Sequence, residues 1–112
     1  MKLTTVAAAS PFNPEKYVAE ELLEGRHSNV RIIKLAPGIA LPPHTHGDSD
    51  LMLYVVEGTA QLDTDDGPVS FSAGDLAFLT GDEELRVSNP HGTGVVLLAF
   101  LSPAFPRREA KD

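Results

Sequence analysis

Two histidines one residue apart, His44 and His46, are the side chains whose types and spacing most directly suggest chemistry in this chain. Successive side chains of an extended strand alternate between its two faces, so both imidazoles are expected to point the same way. Neutral imidazole nitrogens are common metal ligands, and two of them on one face can share an ion. The sequence therefore predicts that this pair contacts a metal or another ligand.

The segments around the pair predict where it lies. Pro42 and Pro43 precede it, and because proline cannot donate a ladder hydrogen bond, this end of the strand is expected at a sheet edge or a barrel mouth. Residues 51–56 are apolar at successive positions, which predicts a strand that is covered on both faces. Met52 and Tyr54 would then pack against a second sheet or a second subunit.

The rest of the chain alternates short apolar runs with turn signals. Strands are predicted at 30–35, 51–56, 59–64, 69–71, 76–79, 85–88 and 95–101, with a strong hairpin signal at Asp65-Asp66-Gly67. Residues 17–24 are ambiguous, because Asn13 and Pro14 form a good helix start while a strand is the alternative. Short strands with a turn about every eight to twelve residues predict a β-sandwich or barrel.

Composition and charge exclude several classes of partner. The formal net charge of −7 gives no attraction to nucleic acid or to an anionic membrane, and neither is expected as a partner. No apolar run approaches the roughly 20 residues of a membrane span, and residues 1–10 lack a convincing signal sequence, so a cytoplasmic protein is expected. The absence of cysteine excludes disulfides and thiolate metal sites. A chain of 112 residues predicts a single domain over 1–112.

Residues 38–58 resemble the first motif of the cupins, in which a glycine, two histidines, a glutamate and a second glycine follow at set spacings. Four positions match that spacing: Gly38, His44, His46 and Gly58. The glutamate does not match, because its position is Leu51 when counted back from the second glycine and Asp50 when counted forward from the histidines. The first count preserves the strand register and is preferred, and Asp50 would be a ligand only if a bulge re-aimed it.

Residues 67–89 resemble the second cupin motif. Gly74-Asp75 and Asn89 match it, but Leu85 stands where the family carries a histidine. The resemblance implies an all-β fold, a small double-sheet jelly-roll β-barrel with its core at about 30–101, a short N-terminal lead-in and an irregular C-terminal tail. It also favours a strand over a helix at 17–24 and implies a homodimer, since small cupins commonly pair.

Leucine at two of the four usual metal-ligand positions leaves two functional hypotheses. In the first, the chain binds a small, partly apolar molecule in the barrel mouth, with a degenerate metal site and a pocket formed by His44, His46, Leu51 and Leu85. In the second, it is a metal-dependent enzyme of the oxygenase or isomerase type. His44, His46 and Asp50, or Asp48 in place of Asp50, would then hold a divalent transition metal such as Fe, Mn, Zn or Ni. Fold-level analogy does not choose between them.

Overall fold

The computed structural model describes residues 1–106, in which one turn of 3-10 helix, Val6–Ala8, is followed by eight strands. The strands are β1 (Val18–Glu24), β2 (Asn29–Leu35), β3 (Asp50–Glu57), β4 (Thr59–Thr64), β5 (Gly67–Ser72), β6 (Leu76–Leu79), β7 (Val87–Ser88) and β8 (Val95–Ser102). Each predicted strand corresponds to one of these. Within the described part of the chain, no helix has the length and apolar character that crossing a bilayer requires.

The strands form two antiparallel sheets that face each other. The larger sheet has the order β1-β2-β8-β3-β6 and the smaller has the order β5-β4-β7. Side chains from both sheets meet in one apolar core, which includes Leu53 and Leu97 from the larger sheet and Ala60 and Phe71 from the smaller. This confirms the predicted all-β, double-sheet jelly-roll barrel. The predicted tail is irregular over residues 103–106, and its remainder, 107–112, lies outside the described residues.

In the central strand β3, the alternation of side chains between the two faces determines which residues are buried. Leu51, Leu53 and Val55 point inward and are completely buried, whereas Met52 on the opposite face is 54% exposed and Tyr54 is half-buried. The expectation that both faces of this strand are covered is therefore not met by residues 1–106 of a single chain. Around Met52, the outer face of the larger sheet is apolar and exposed.

Strand β1 resolves the ambiguity at 17–24 in favour of a strand. The Asn13 side-chain oxygen accepts a hydrogen bond of 2.8 Å from the Glu15 backbone N–H, as a helix cap would. Only bends follow, however, and the chain then pairs with β2 from Val18 onward. The helix signal is local, while pairing along an existing sheet edge satisfies the backbone groups of seven residues and packs Ala19 against the core.

The second predicted cupin motif, residues 67–89, contributes β5 and β7 to the smaller sheet and β6 to the larger sheet. Its last strand is shorter than predicted, because only Val87–Ser88 pairs as β7 and Leu85 instead forms an isolated bridge with His44. Asn89 is completely buried, donates to the backbone oxygens of Leu35 and Thr93, and accepts from the backbone N–H of His91. Asn89 therefore stabilises the turn after β7 and has no position in the site described next.

Candidate functional site

His44 is held at the barrel mouth by backbone pairing with Leu85. The Leu85 N–H donates to the His44 oxygen at 2.8 Å, and the His44 N–H donates to the Leu85 oxygen at 3.4 Å. This antiparallel pairing brings the imidazole and the leucine side chain to the same side of the barrel. The Nδ1 atom of His44 lies 2.8 Å from the Pro42 carbonyl oxygen, which can only accept. Nδ1 therefore carries a proton, and Nε2 is left for a ligand.

His46 is held by the loop that follows β6. The backbone N–H of His46 donates to the backbone oxygen of Gly81 at 2.8 Å. A Cβ at Gly81 would overlap the Gly47 carbonyl oxygen, so the two loops approach this closely only because Gly81 has no side chain. The imidazole is 4% exposed, its centroid lies 4.5 Å from that of His44, and its ring meets Phe105 edge-on at 5.0 Å.

Burial sets the charge of His46. Desolvation, with a smaller contribution from the neighbouring His44, lowers the pKa of His46 from 6.5 to about 4. The imidazole is therefore neutral at pH 7. Its Nδ1 atom is buried and has no hydrogen-bond partner among the described residues. A buried polar atom without a partner is costly, and this one belongs to a residue that lines the cavity described next.

A cavity of about 340 Å³, which we call the mouth cavity, opens beside the two histidines. Its walls are mainly apolar and come from β1, β2, β8, the loop before His44 and the C-terminal segment. They are formed by Tyr17, Ala19, Ile33, Leu41, Pro42, Leu85, Ala99, Leu101, Phe105 and Pro106, and its polar groups by Arg31, His44 and His46. Its size and lining are typical of a small-molecule site.

Phe105 reaches the mouth cavity because Asn29 anchors the end of the described chain. The Asn29 side-chain oxygen accepts from the Phe105 N–H at 2.8 Å, and its amide nitrogen donates to the Phe105 carbonyl oxygen and, at 2.7 Å, to a Glu21 carboxylate oxygen. Asn29 is itself buried. Neither residue was identified from the sequence, because no local pattern at Asn29 or Phe105 indicates a contact between residues 76 positions apart.

Arg31 is a third residue of the site that was not identified from the sequence. It lies two residues before Ile33 and four before Leu35 on β2, so the three side chains share one face. This spacing could have placed Arg31 on the inner face. Both Arg31 and Ile33 line the mouth cavity. When an inward arginine precedes two inward aliphatic residues on a strand, a positive charge is expected at the opening of the cavity that they line.

The predicted site residues are only partly brought together. His44, His46 and Leu85 line the mouth cavity, whereas Leu51 is completely buried in the core, where it pairs across the strands with the lining residue Leu101. Asp50 is exposed at the start of β3 and lines a different groove, on the outer face beside Met52. The period of two explains this, because Asp50 shares the outer face with Met52 and not the inner face with Leu51.

The donor set at the mouth does not fit a metal ion. Structural zinc takes four ligands and catalytic zinc takes three, while non-haem iron takes two histidines and a carboxylate. Here two imidazoles face an apolar wall, Asp50 points away, and Asp48 is exposed and has interactions of its own. Over residues 1–106, no group of three or more potential ligand side chains lies close enough to hold an ion.

Comparisons with known proteins agree with this architecture. A family model described as "Cupin domain" matches residues 31–101. The chain is 30% identical over 77 residues to "Tetracenomycin polyketide synthase protein TcmJ" of Streptomyces glaucescens, a match covering 69% of this chain and 52% of that protein. The chain thus spans about half the length of this curated relative.

Two solved structures illustrate the likeness of fold. A Thermus thermophilus protein superposes with a TM-score of 0.83 at 23% identity, covering 93% of this chain and 99% of that one. An RmlC-like cupin protein from Desulfovibrio desulfuricans has a TM-score of 0.82 at 21% identity, covering 94% and 99%. At these identities the likeness concerns the fold alone.

Proposed function

Since the chain belongs to the cupin family, as the family-model match over residues 31–101 shows, we propose that it binds a small, partly apolar molecule at the mouth of its barrel. The observation that carries this proposal is the mouth cavity itself. It combines a volume of about 340 Å³, mainly apolar walls and the imidazoles of His44 and His46. An apolar body would displace water from the walls, and the imidazoles would orient it.

The four residues of the predicted ligand pocket have different parts in this proposal. His44 offers Nε2, and His46 contributes a neutral imidazole. Leu85 belongs to the apolar wall beside His44, with which it pairs across the strands. Leu51 is buried in the core and packs beside its cross-strand neighbour Leu101, which lines the cavity.

The printed name of the Streptomyces relative associates that protein with a polyketide synthase. Polyketides have a carbon skeleton with oxygen substituents, and a molecule of that general character suits apolar walls with a few polar groups. Because this chain spans about half of that protein, we carry over only the general character of the ligand.

A metal-dependent enzyme of the oxygenase or isomerase type is the second candidate, and no observation favours it. His44 and His46 would be ligands for Fe, Mn, Zn or Ni, but the third ligand proposed from the sequence, Asp50, lies on the outer face. Two imidazoles are fewer protein ligands than catalytic zinc or non-haem iron takes.

A thermal-shift screen of small aromatic and alicyclic molecules tests the proposed binding. Compounds that stabilise the wild type should not stabilise His44→Trp, in which a larger ring enters the mouth cavity, and should still stabilise His91→Trp, which carries the same change at an exposed position. Circular dichroism of the unliganded variants checks that both fold. The proposal fails if no compound binds, or if the compounds stabilise His44→Trp as well as they stabilise the wild type.

We further propose that a second copy of the chain covers the outer face of the larger sheet. On that face Met52 is in register with Phe78 of β6 and Phe100 of β8, and the three side chains are 54%, 54% and 45% exposed. Contiguous apolar surface of this kind is unusual on a monomer. Sedimentation velocity tests the homodimer: Phe100→Glu should be monomeric, while Val69→Glu, the same change at an exposed position on the smaller sheet, should remain dimeric.

A further inference from the structure

Arg31 introduces a positive charge into a cavity whose described lining is otherwise mainly apolar. The residue lies on β2, in register with Ala99 of β8 on one side and with Glu21 of β1 on the other. Ala99 also lines the mouth cavity, and its small side chain leaves room beside the longer arginine. The arginine is half-buried, so its charge is partly withdrawn from water.

The guanidinium group has no partner within the described part of the chain. None of residues 1–106 forms an ion pair or a hydrogen bond with it. Glu21 stands opposite in the sheet, where its carboxylate accepts the hydrogen bond from Asn29 at 2.7 Å and has a further interaction of its own. The half-buried guanidinium has lost some of its hydration, and no hydrogen bond to residues 1–106 replaces it, which is unfavourable.

The sign of the charge at the mouth cavity is opposite to that of the chain. The formal net charge is −7, yet the lining contributed by residues 1–106 contains Arg31 and no acidic side chain. His46 adds a neutral imidazole beside it. The field inside the cavity is therefore set locally, and it favours an anionic group at the arginine end.

We infer that the ligand of the mouth cavity is an amphipathic carboxylic acid, with its carboxylate on Arg31 and its apolar body between Leu85 and Phe105. This inference rests on the proposed binding function and names the class of ligand. A planar guanidinium matches a carboxylate through two parallel hydrogen bonds. A single arginine matches one negative charge, whereas a phosphate dianion would require further donors that the apolar walls do not provide.

The first measurement compares acids with their neutral amides. Isothermal titration of the wild type with aromatic acetic and propionic acids of one to three rings, and with the corresponding amides, should show the acids binding about tenfold to a hundredfold more tightly. Raising the salt concentration should weaken binding of the acids and leave the amides unchanged.

Matched arginine variants assign the preference to one side chain. Arg31→Gln should bind acid and amide with affinities within about twofold of each other, because only the acid loses a charge-assisted contact. Arg26→Gln removes an exposed arginine from the β1–β2 turn and should keep the wild-type preference. Circular dichroism and thermal unfolding of the unliganded variants check that Arg31→Gln and Arg26→Gln both fold.

Each outcome has one meaning. If the wild type binds acids and amides equally and His44→Trp loses both, the assignment of a carboxylate is overturned while the proposed binding of apolar molecules stands. A preference for acids that survives in Arg31→Gln also overturns the assignment. If neither series binds the wild type, both the carboxylate assignment and the proposed binding function are overturned.

Discussion

Acidification from pH 7 to pH 4 is expected to destabilise the fold through His46 alone by about 3 kcal/mol. Burial lowers the pKa of this imidazole from 6.5 to about 4 in the folded state. Above pH 6.5 the residue is neutral in both the folded and the unfolded chain, so the folded state has its full stability there. Between 6.5 and 4 the unfolded chain binds a proton that the folded chain excludes, and stability is lost as the pH falls.

The magnitude follows from the two pKa values. One unit of pKa difference corresponds to about 1.4 kcal/mol, so the loss attributed to His46 should reach about 2 kcal/mol at pH 5 and about 3 kcal/mol at pH 4. The cause of the lowered pKa is that burial removes water from the imidazole and so disfavours its charged form. The imidazole is 4% exposed, lies against His44 and Phe105, and has no described partner at Nδ1 that could stabilise a cation.

Urea unfolding at several pH values measures this effect directly. Other groups titrate over the same range, so the quantity to compare is the difference in unfolding free energy between the wild type and His46→Met, which has no ionisable group at that position. This difference should shrink by about 3 kcal/mol between pH 7 and pH 4. His91→Met, a change at an exposed position, should follow the wild type. Parallel curves for the wild type and His46→Met would refute the reasoning, and a difference that grows on acidification would mean that the folded pKa is raised.

Three further changes test how the site is built. Asn29→Ala should lower the free energy of unfolding by about 2 kcal/mol in urea titrations, because it removes the hydrogen bonds that hold Phe105 over the mouth cavity. Compounds that bind the wild type should bind this variant more weakly. Gly81→Ala should cost about 1 to 3 kcal/mol, since its methyl group would overlap a backbone carbonyl oxygen, whereas Gly92→Ala has open space and should stay within about 0.5 kcal/mol of the wild type. Leu85→His should raise zinc affinity at least about tenfold by adding a third imidazole opposite His44, and an unchanged affinity in a zinc titration would contradict that geometry.

Local pattern determined much of the fold. The hairpin signal at residues 65–67 forms a two-residue turn between β4 and β5, and the predicted strands 59–64 and 76–79 agree with β4 and β6. The period of two is a property of the backbone, so alternation along the sequence identifies the two faces of a strand before any partner is known. The likeness of two histidines and several glycines to the cupin motifs then selected one barrel among the β architectures.

Tertiary structure decided what each face meets. Both faces of β3 were expected to be covered, but residues 1–106 leave Met52 on the outer face exposed, because the number of sheets that pack on a strand is not encoded in that strand. The helix signal at Asn13 was likewise local, and the free edge of β2 overrode it. Asp50 was separated from the histidines because one residue of register sends a side chain to the opposite face.

The composition of the mouth cavity depended on the tertiary structure most of all. His44 and His46 are neighbours in sequence and could be paired from spacing, but Phe105 reaches them through a hydrogen bond from Asn29 that spans 76 positions. Arg31 could be placed on an inner face by alternation, yet only the folded barrel shows that it lines the same cavity as the two histidines. Spacing along the chain determines which side chains share a face. Which distant segments converge on that face depends on long-range packing, and short sequence patterns do not contain that information.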